Sequence, residues 1–168
     1  MTAPAVEIRL QTPKDLPALK KLNEESFGPG RFARTAFRIR ETATPEPRLN
    51  LCAELDGAVI GAVQLTPISI GGRGGALLLG PLIVAKSQTN RGLGMRLMLD
   101  GMARAHELGY RLVILVGDLP YYARAGFAVT PPGRIVPPGP VDPARLLYAE
   151  LAPGAIEHYR GLVRGVPG

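Results

Sequence analysis

The sequence has few of the residues from which disulfides and metal centres are built. Cys52 is the single cysteine among 168 residues, so no internal disulfide can form and no metal site can rest on paired thiolates. His106 and His158 are the only histidines, and neither stands near a second candidate ligand at metal-binding spacing. We therefore expect no zinc or iron site.

Long apolar runs are also missing from the sequence. No segment reaches the ~18 uninterrupted apolar residues that a membrane helix needs, and Met1 to Val6 carry no basic stretch followed by an apolar run. We therefore expect a soluble, cytoplasmic protein with no membrane partner. A chain of this length, with 46% hydrophobic residues, can bury one core but is short for two. We expect a single domain that spans residues 1–168.

Aromatic residues are scarce, at 5%, whereas the formal net charge of +6 shows an excess of cations that is mostly arginine. Such an excess suits a polyanionic partner, either nucleic acid or a small ligand with several phosphates. The arginines are scattered along the chain, and few aromatic side chains are available for stacking on bases. Nucleic-acid binding is therefore the less favoured of the two.

The first part of the chain predicts a strand followed by helices. Val6 to Leu10 alternates apolar and polar residues, as a half-buried strand does. Thr12-Pro13-Lys14-Asp15 has the composition of a helix start, with Thr12 as the N-cap and Asp15 completing a capping box. This helix should end near Phe27, before Gly28-Pro29-Gly30. Arg31 to Glu41 is compatible with a second short helix.

Three antiparallel strands are predicted next. Leu51 to Leu55 and Ala58 to Ile70 flank Asp56-Gly57, a pair favoured in type I′ hairpin turns. A glycine cluster at 71–75 then leads into Ala76 to Val84. Because this cluster stands between two strands and no helix follows it, we interpret it as a flexible hairpin tip and not as a phosphate loop.

The second half predicts a helix between two parallel strands. Apolar residues recur at helical spacing from Gly92 to Leu108, and Leu112 to Val116 is a continuous apolar run typical of a strand buried on both faces. A right-handed crossover makes the strands that contain Val84 and Val113 parallel neighbours. The remaining predictions are a short helix at Pro120 to Ala125, a strand from Phe127, a proline-rich loop from Pro131 to Pro143, a strand from Leu146 to Leu151, and a terminal helix at Ala155 to Val163.

The segment Gln88 to Gly94 carries the clearest binding signal. It lies between a buried strand and a helix, where free backbone N–H groups and the positive end of a helix dipole meet. Gly92 and Gly94 lack Cβ atoms, so the backbone can approach a phosphate closely. A pyrophosphate would fit there, although many helices begin with glycine for steric reasons alone. A dinucleotide is less well supported, because Leu97 occupies the third glycine position of that motif.

Two further motifs accompany this segment. Gly80-Pro81 interrupts the preceding strand, because proline has no N–H for the ladder and marks a break or a bulge. Tyr122-x-Arg124-x-Gly126-Phe127 follows the second parallel strand. With Arg91-Gly92-Leu93-Gly94 and the opening Ile8-Arg9 and Thr12-Pro13-x-Asp15-Leu16, these motifs resemble the GNAT superfamily of acyl-CoA-dependent N-acetyltransferases. Leu79-Gly80-Pro81-Leu82 and the paired Tyr121-Tyr122 resemble a branch of small bacterial members.

The resemblance implies an α/β fold in which a mixed, mostly antiparallel sheet is flanked by helices and its central parallel pair is splayed into a V. The pantetheine arm of acetyl-CoA would lie in this gap like an extra strand. Thr89 stands where the family usually has Gln or Arg, so one side-chain contact is missing or altered. The residues that the resemblance assigns to acetyl-CoA or CoA binding are Leu82, Ile83, Val84, Thr89, Asn90, Arg91, Gly92, Leu93, Gly94, Met95 and Arg124.

Tyr122 matches the family position whose phenol protonates the departing CoA thiolate. Its ordinary pKa of ~10 suits a group that is protonated at neutral pH. The alternative is an aromatic side chain that only packs beside Phe127. For the base that deprotonates the amine, Asp118 is one candidate and Glu54 a second, and an ordered water could serve instead.

The function implied is transfer of an acetyl group from acetyl-CoA to a primary amine by direct attack in a ternary complex. The acceptor would be a small molecule or a peptide, and a homodimer is left open. Arg31, Arg34 and Arg38 lie where the family's substrate-side helix would be and could receive an acidic acceptor, or they could form a solvated basic face. The alternative function is a non-catalytic module of the same fold that binds CoA as a sensor or a partner protein.

Overall fold

The structure, a computed structural model, describes residues 5–26, 34–88 and 91–167. Its strands and α-helices alternate in the order that the sequence predicts for most of the chain. They are β1 (Glu7–Leu10), α1 (Leu16–Ser26), α2 (Arg34–Thr42), β2 (Asn50–Leu55), β3 (Ala58–Ile70), β4 (Arg73–Val84), α3 (Leu93–Glu107), β5 (Leu112–Val116), α4 (Leu119–Tyr122), β6 (Ala128–Val129), β7 (Ile135–Val136), β8 (Leu146–Glu150) and β9 (Gly161–Gly165).

The capping box before the first helix is present. A 3-10 turn at Pro13–Asp15 leads into α1, and the Thr12 backbone N–H donates to the Asp15 carboxylate over 2.7 Å. The predicted helix end at Phe27 lies outside the described residues. The expected second helix is α2, whose predicted first residues, 31–33, also lie outside them.

The two hairpin turns follow from their residues. Asp56 and Gly57 have φ values of 51° and 79°, which confirms the type I′ turn between β2 and β3. Only Gly71 and Gly72 form the second turn, and β4 already begins at Arg73. The Gly71 N–H donates to the Leu162 carbonyl over 2.9 Å, so this hairpin tip is held against the C-terminal segment.

The sheet is mixed, and its strand order is β1-β2-β3-β4-β5-β8-β6. Neighbouring strands along this order are antiparallel except for β4 and β5, which are parallel at its centre. This confirms the fold class and the crossover through α3 that the sequence predicts.

The helices cover both faces of the sheet. Successive residues of β4 point to opposite faces: Leu77 belongs to the apolar cluster that includes Leu97 of α3, whereas Leu78 belongs to the cluster that includes Ile39 of α2. Leu22 of α1 packs in a third cluster, on the α2 side. As predicted, β5 is buried on both faces. The two faces of the sheet at β4 are therefore covered by different helices.

The prediction of a terminal helix at Ala155 to Val163 is wrong. The chain forms a 3-10 turn at Ala155–His158 and then β9, which pairs antiparallel with β3. The edge of β3 is available there because β2 pairs with β3 only as far as Gln64. Burial alternates along β9, with Val163 and Gly165 buried and their neighbours exposed, as a half-buried strand requires.

Two smaller differences concern the predicted loop and strand before it. The segment Pro131–Pro143 contains the two-residue strand β7, which pairs in parallel with β9. The strand predicted from Phe127 is β6, and it is only two residues long. Among the helices that the structure describes, none is long and apolar enough to cross a membrane.

Candidate functional site

The central parallel pair separates partway along its length. The last β4–β5 pair within the described residues is Leu78 with Ile114, although β4 continues to Val84 and β5 to Val116. We call the space between 79–84 of β4 and 115–117 at the end of β5 the strand cleft. Its position matches the V-shaped gap that the sequence predicts.

A bulge at Gly80-Pro81 marks the start of the strand cleft. Val63 of β3 is opposite Leu82, and Leu65 is opposite Leu79, so one β3 residue faces two β4 residues. Gly80 has a φ of 137°, which side chains rarely allow. Beyond the bulge, Leu82 and Ile83 pair with β3 on one edge, and the opposite edge of β4 faces the strand cleft.

The N-terminus of α3 is suited to an anion. Gly92 is the N-cap with a φ of 77°, and the first intrahelical bond runs from the Arg96 N–H to the Gly92 carbonyl over 3.0 Å. The N–H groups of Leu93, Gly94 and Met95 precede that bond and have no partner within the helix. No acidic residue occupies the first turn. Backbone donors and the helix dipole therefore favour a phosphate at this end.

Gly94 brings this helix end against Tyr121. A Cβ built on Gly94 would lie 2.5 Å from the Tyr121 hydroxyl oxygen. Any side chain at position 94 would therefore push the Tyr121 ring away. The rings of Tyr121 and Tyr122 meet edge to face with centroids 4.9 Å apart, so Tyr121 connects α3 to Tyr122.

Tyr122 ends α4 and packs next to the end of β5. Its ring lies so close to Gly117 that a Cβ there would overlap it, and its centroid is 6.0 Å from that of Phe127. Burial, with smaller contributions from Tyr121 and Asp118, raises the pKa of Tyr122 to about 12. The phenol is therefore neutral over the physiological range and keeps a proton to donate.

The two candidate bases are both bound by arginines. Asp118 directly follows Gly117 at the strand cleft, and its largely exposed carboxylate accepts a hydrogen bond from Arg145 over 2.8 Å. Glu54 accepts one from Arg9 over 3.1 Å and lies on β2, which β3 separates from β4. Of the two, only Asp118 is placed beside the strand cleft.

The structure places the other predicted site residues around this region, with two exceptions. Leu82 and Val84 pack towards the α3 side of the sheet, and Ile83 towards α1. Met95 also packs against the core, so its backbone is the part available for a ligand. Arg91 and Arg124 are exposed, the latter in the 3-10 turn after α4. Thr89 and Asn90 lie outside the described residues.

Three residues near the site were not identified from the sequence. Two of them are Tyr121 and Gly117, and the position of Gly117-Asp118 immediately after a buried strand is a usable signal for the second. Arg40 lies with Nη1 3.7 Å from the Cβ position of Gly80, whereas Arg38 is exposed on α2 and lines a cavity of about 600 Å³ between α2 and β9. No sequence pattern distinguishes these two arginines.

Comparisons with known proteins agree with this geometry. A family model described as the acetyltransferase (GNAT) family matches residues 16–127. The uncharacterized N-acetyltransferase YhbS of Escherichia coli K12 is 27% identical over 157 residues, which are 93% of this chain and 93% of YhbS.

Two solved structures extend the comparison. The crystal structure of YhbS from Escherichia coli in complex with CoA has a TM-score of 0.85 at 28% identity, covering 98% of this chain and 91% of that one. A GNAT family acetyltransferase of Brucella melitensis in complex with acetyl-CoA has a TM-score of 0.63 at 29% identity, covering 85% and 94%. The family model spans most of the chain and includes α1, the bulge, α3 and Tyr122. The chain therefore belongs to the acetyltransferase (GNAT) family.

Proposed function

We propose that this protein transfers an acetyl group from acetyl-CoA to a primary amine by direct attack in a ternary complex. The observation that carries the proposal is the position of Tyr122, a neutral phenol packed on Gly117 at the end of β5, beside the strand cleft. The similar proteins from Escherichia coli and Brucella melitensis, solved with CoA and with acetyl-CoA, support the choice of cofactor.

The residues of this chain fit the cofactor at two points. On the edge of β4 away from β3, the backbone groups of Leu82 alternate with the β3-facing groups of Ile83 and can bond an extended amide-containing arm as a neighbouring strand would. The N–H groups of Leu93, Gly94 and Met95 can bind a pyrophosphate. Val84, Thr89, Asn90, Arg91, Gly92 and Arg124 complete the proposed cofactor-binding set. When bound, acetyl-CoA supplies an acetyl group activated as a thioester.

Side chains beside the strand cleft would donate and accept the protons that the reaction transfers. Tyr122 donates its phenolic proton to the sulfur as the carbon–sulfur bond breaks, so no charged thiolate has to leave. The backbone N–H of Leu82, which points away from β3, stabilises negative charge on the carbonyl oxygen. Asp118 remains the candidate that receives the proton of the attacking amine, with its carboxylate held by Arg145.

Thermal unfolding with and without cofactor tests the binding part of this proposal. Acetyl-CoA and CoA at about 100 times their dissociation constant should each stabilise the protein by about 2.7 kcal/mol. Adenosine diphosphate is the matched control, because it carries the pyrophosphate but lacks the pantetheine arm. No stabilisation by excess acetyl-CoA would refute the proposed cofactor.

Release of CoA from acetyl-CoA in a screen of amines and peptides tests the catalytic part. An acetyltransferase releases CoA in proportion to an added acceptor, and the acetylated amine appears in equal amount. A sensor of the same fold would be stabilised by acetyl-CoA and would release no CoA with any acceptor.

A further inference from the structure

Arg40 is the arginine of α2 that approaches the bulge in β4. Its Nη1 lies 3.7 Å from the position a Cβ would take on Gly80, which has no side chain to keep the guanidinium away. Gly80 lies two residues beyond Leu78, the last residue of β4 that pairs with β5. A positive charge therefore stands at the wall of the strand cleft.

The guanidinium of Arg40 has no counter-charge in the part of the chain that the structure describes. It makes no hydrogen bond or ion pair there, and the residues outside 5–26, 34–88 and 91–167 include no Asp or Glu. Other half-buried arginines, such as Arg9 and Arg134, do pair with carboxylates. A half-buried cation without a partner is unfavourable, and an anionic ligand would remove that cost.

The location of Arg40 argues against the cofactor phosphates as its partner. Arg40 approaches from α2, on the face of the sheet opposite α3. The pyrophosphate is proposed to bind at the N-terminus of α3. Burial lowers the pKa of Arg40, but a guanidinium stays charged at neutral pH.

We propose that Arg40 binds an anionic group, a carboxylate or a phosphate, carried by the acceptor amine. The inference rests on the proposed acetyl transfer and adds the class of its acceptor. The planar guanidinium can hold either oxyanion through two parallel hydrogen bonds, which would fix the acceptor's orientation beside Gly80. An amine a few bonds from the anion would then lie at the bulge, where the strand cleft begins.

Paired acceptors assayed with the wild-type protein test this inference directly. In the carboxylate series, each dipeptide or ω-amino acid is compared with the amide of its own carboxyl group. In the phosphate series, phosphoethanolamine is compared with ethanolamine. In at least one series the anionic member should have a KM at least ~10-fold lower than its neutral partner, as expected for a charge-assisted hydrogen bond. The two series distinguish a carboxylate from a phosphate. Equal use of both members, or turnover of neutral acceptors only, would overturn the inference.

Arg40→Gln identifies the residue responsible, with Arg164→Gln as the control for loss of one exposed arginine near α2. Arg40→Gln should raise the KM of the anionic acceptor by at least ~10-fold and leave that of the neutral partner unchanged. Stabilisation by acetyl-CoA should not change. The inference is wrong if Arg40→Gln instead weakens acetyl-CoA binding, or if it affects both members of a pair equally. If Arg40→Gln does not fold, the wild-type comparison decides.

Failure of the underlying function has a different signature. The wild-type protein would then show no stabilisation by acetyl-CoA, or would release no CoA with any amine, charged or neutral. Stabilisation by acetyl-CoA and turnover confined to neutral amines would leave the proposed function intact and refute only the role of Arg40.

Discussion

Packing holds the side chain of Tyr122 in place. Within the part of the chain that the structure describes, its hydroxyl group makes no hydrogen bond. Gly117 leaves room for the ring, and Tyr121 and Phe127 meet it edge to face. These apolar contacts remove water from the phenol, which is the main reason why its pKa rises to about 12. The same contacts that hold the ring therefore keep it protonated.

Replacing Tyr122 with Phe removes the proton and keeps the ring. We expect kcat to fall by about 100-fold, the lower range for loss of a general acid, while stabilisation by acetyl-CoA stays unchanged. Steady-state kinetics from pH 6 to about 11 check this, and the wild-type protein should show no loss of rate from Tyr122 ionisation near its ordinary pKa of ~10. Tyr110→Phe, at a half-buried tyrosine away from the strand cleft, is the control. Unchanged turnover of Tyr122→Phe at every pH would exclude the general-acid role.

Gly94 and Gly92 form a matched pair for testing contact between α3 and the tyrosines. Gly94→Ala places a Cβ against the Tyr121 hydroxyl, so Tyr121 and its neighbour Tyr122 must shift. Gly92→Ala meets no atom within 4 Å and only strains a left-handed backbone, at about 1 kcal/mol. We expect Gly94→Ala to lower kcat at least ~10-fold. Gly92→Ala should lower the free energy of unfolding and weaken acetyl-CoA binding, and leave kcat at saturating acetyl-CoA unchanged. Equal kcat values in the two variants would contradict the proposed contact.

Among the elements, β1, β2 and the turn before α1 are joined by one ionic cluster. Arg9 of β1 donates to Asp15 over 2.8 Å and 2.9 Å and to Glu54 of β2 over 3.1 Å. The Arg9 guanidinium, followed by the Thr12 backbone N–H, holds the pKa of Asp15 well below its usual range, against the effect of burial. Asp15 thus closes the capping box and ties the first helix to the sheet edge.

Asp15→Asn should reduce stability in a pH-dependent way. Since the folded-state pKa of Asp15 is depressed, its contribution is fully present above the unfolded-state pKa of about 4 and is lost as the pH falls below it. We expect Asp15→Asn to lower the free energy of unfolding by about 2 kcal/mol at pH 7 and by less as the pH approaches 2. Urea unfolding at each pH measures this difference. Asp100→Asn breaks a more exposed pair with Arg104 and should cost only about 0.4 kcal/mol. A constant difference between Asp15→Asn and wild type from pH 7 to about 2 would contradict this linkage.

The docking of β9 is decided by close approach between elements. Gly165 of β9 lies against α2, where a Cβ would come within 2.6 Å of the Ile39 carbonyl and the Ala43 amide. Tyr159, fully buried, donates from its hydroxyl to the Gly74 carbonyl over 2.7 Å. The C-terminal segment thereby fixes both the β3–β4 hairpin tip and the helix that carries Arg40.

For the molecule as a whole, the net charge of +6 should assist the capture of an anionic cofactor. The arginines are scattered along the chain, so we expect the effect to be a long-range field and not one built site. We expect the association rate constant of acetyl-CoA to fall about 10-fold between ~0.01 M and ~1 M salt, as the Debye length shortens from about 30 Å to about 3 Å. Stopped-flow binding checks this, with potassium chloride and potassium acetate compared to separate screening from anion competition. A rate independent of salt would show that steering is absent.

Features that depend on neighbours in the chain were predictable from the sequence. Asp56-Gly57 sets a type I′ turn because both residues tolerate positive φ, and Thr12 with Asp15 closes a capping box within one turn. The continuous apolar run at Leu112–Val116 predicts a strand covered on both faces, and with α3 before it the crossover has one favoured hand. The motif at Thr12-Pro13-x-Asp15-Leu16 lies in one of these segments, and the fold class and the family were both confirmed.

Features that depend on contacts between distant segments were decided only by the tertiary structure. Residues 161–165 become a strand because half of one β3 edge is uncovered, which no local pattern reveals. Arg40 and Arg38 have the same chemistry on the same helix, yet two positions turn about 200° around the helix axis. The two side chains therefore leave opposite faces of α2, and of the two only Arg40 reaches Gly80. The contact of Tyr121 with Gly94 likewise joins segments that meet only when α3 and α4 pack on the sheet. Local stereochemistry specifies turns, caps and strand burial, whereas side-chain neighbours across the cleft follow from packing.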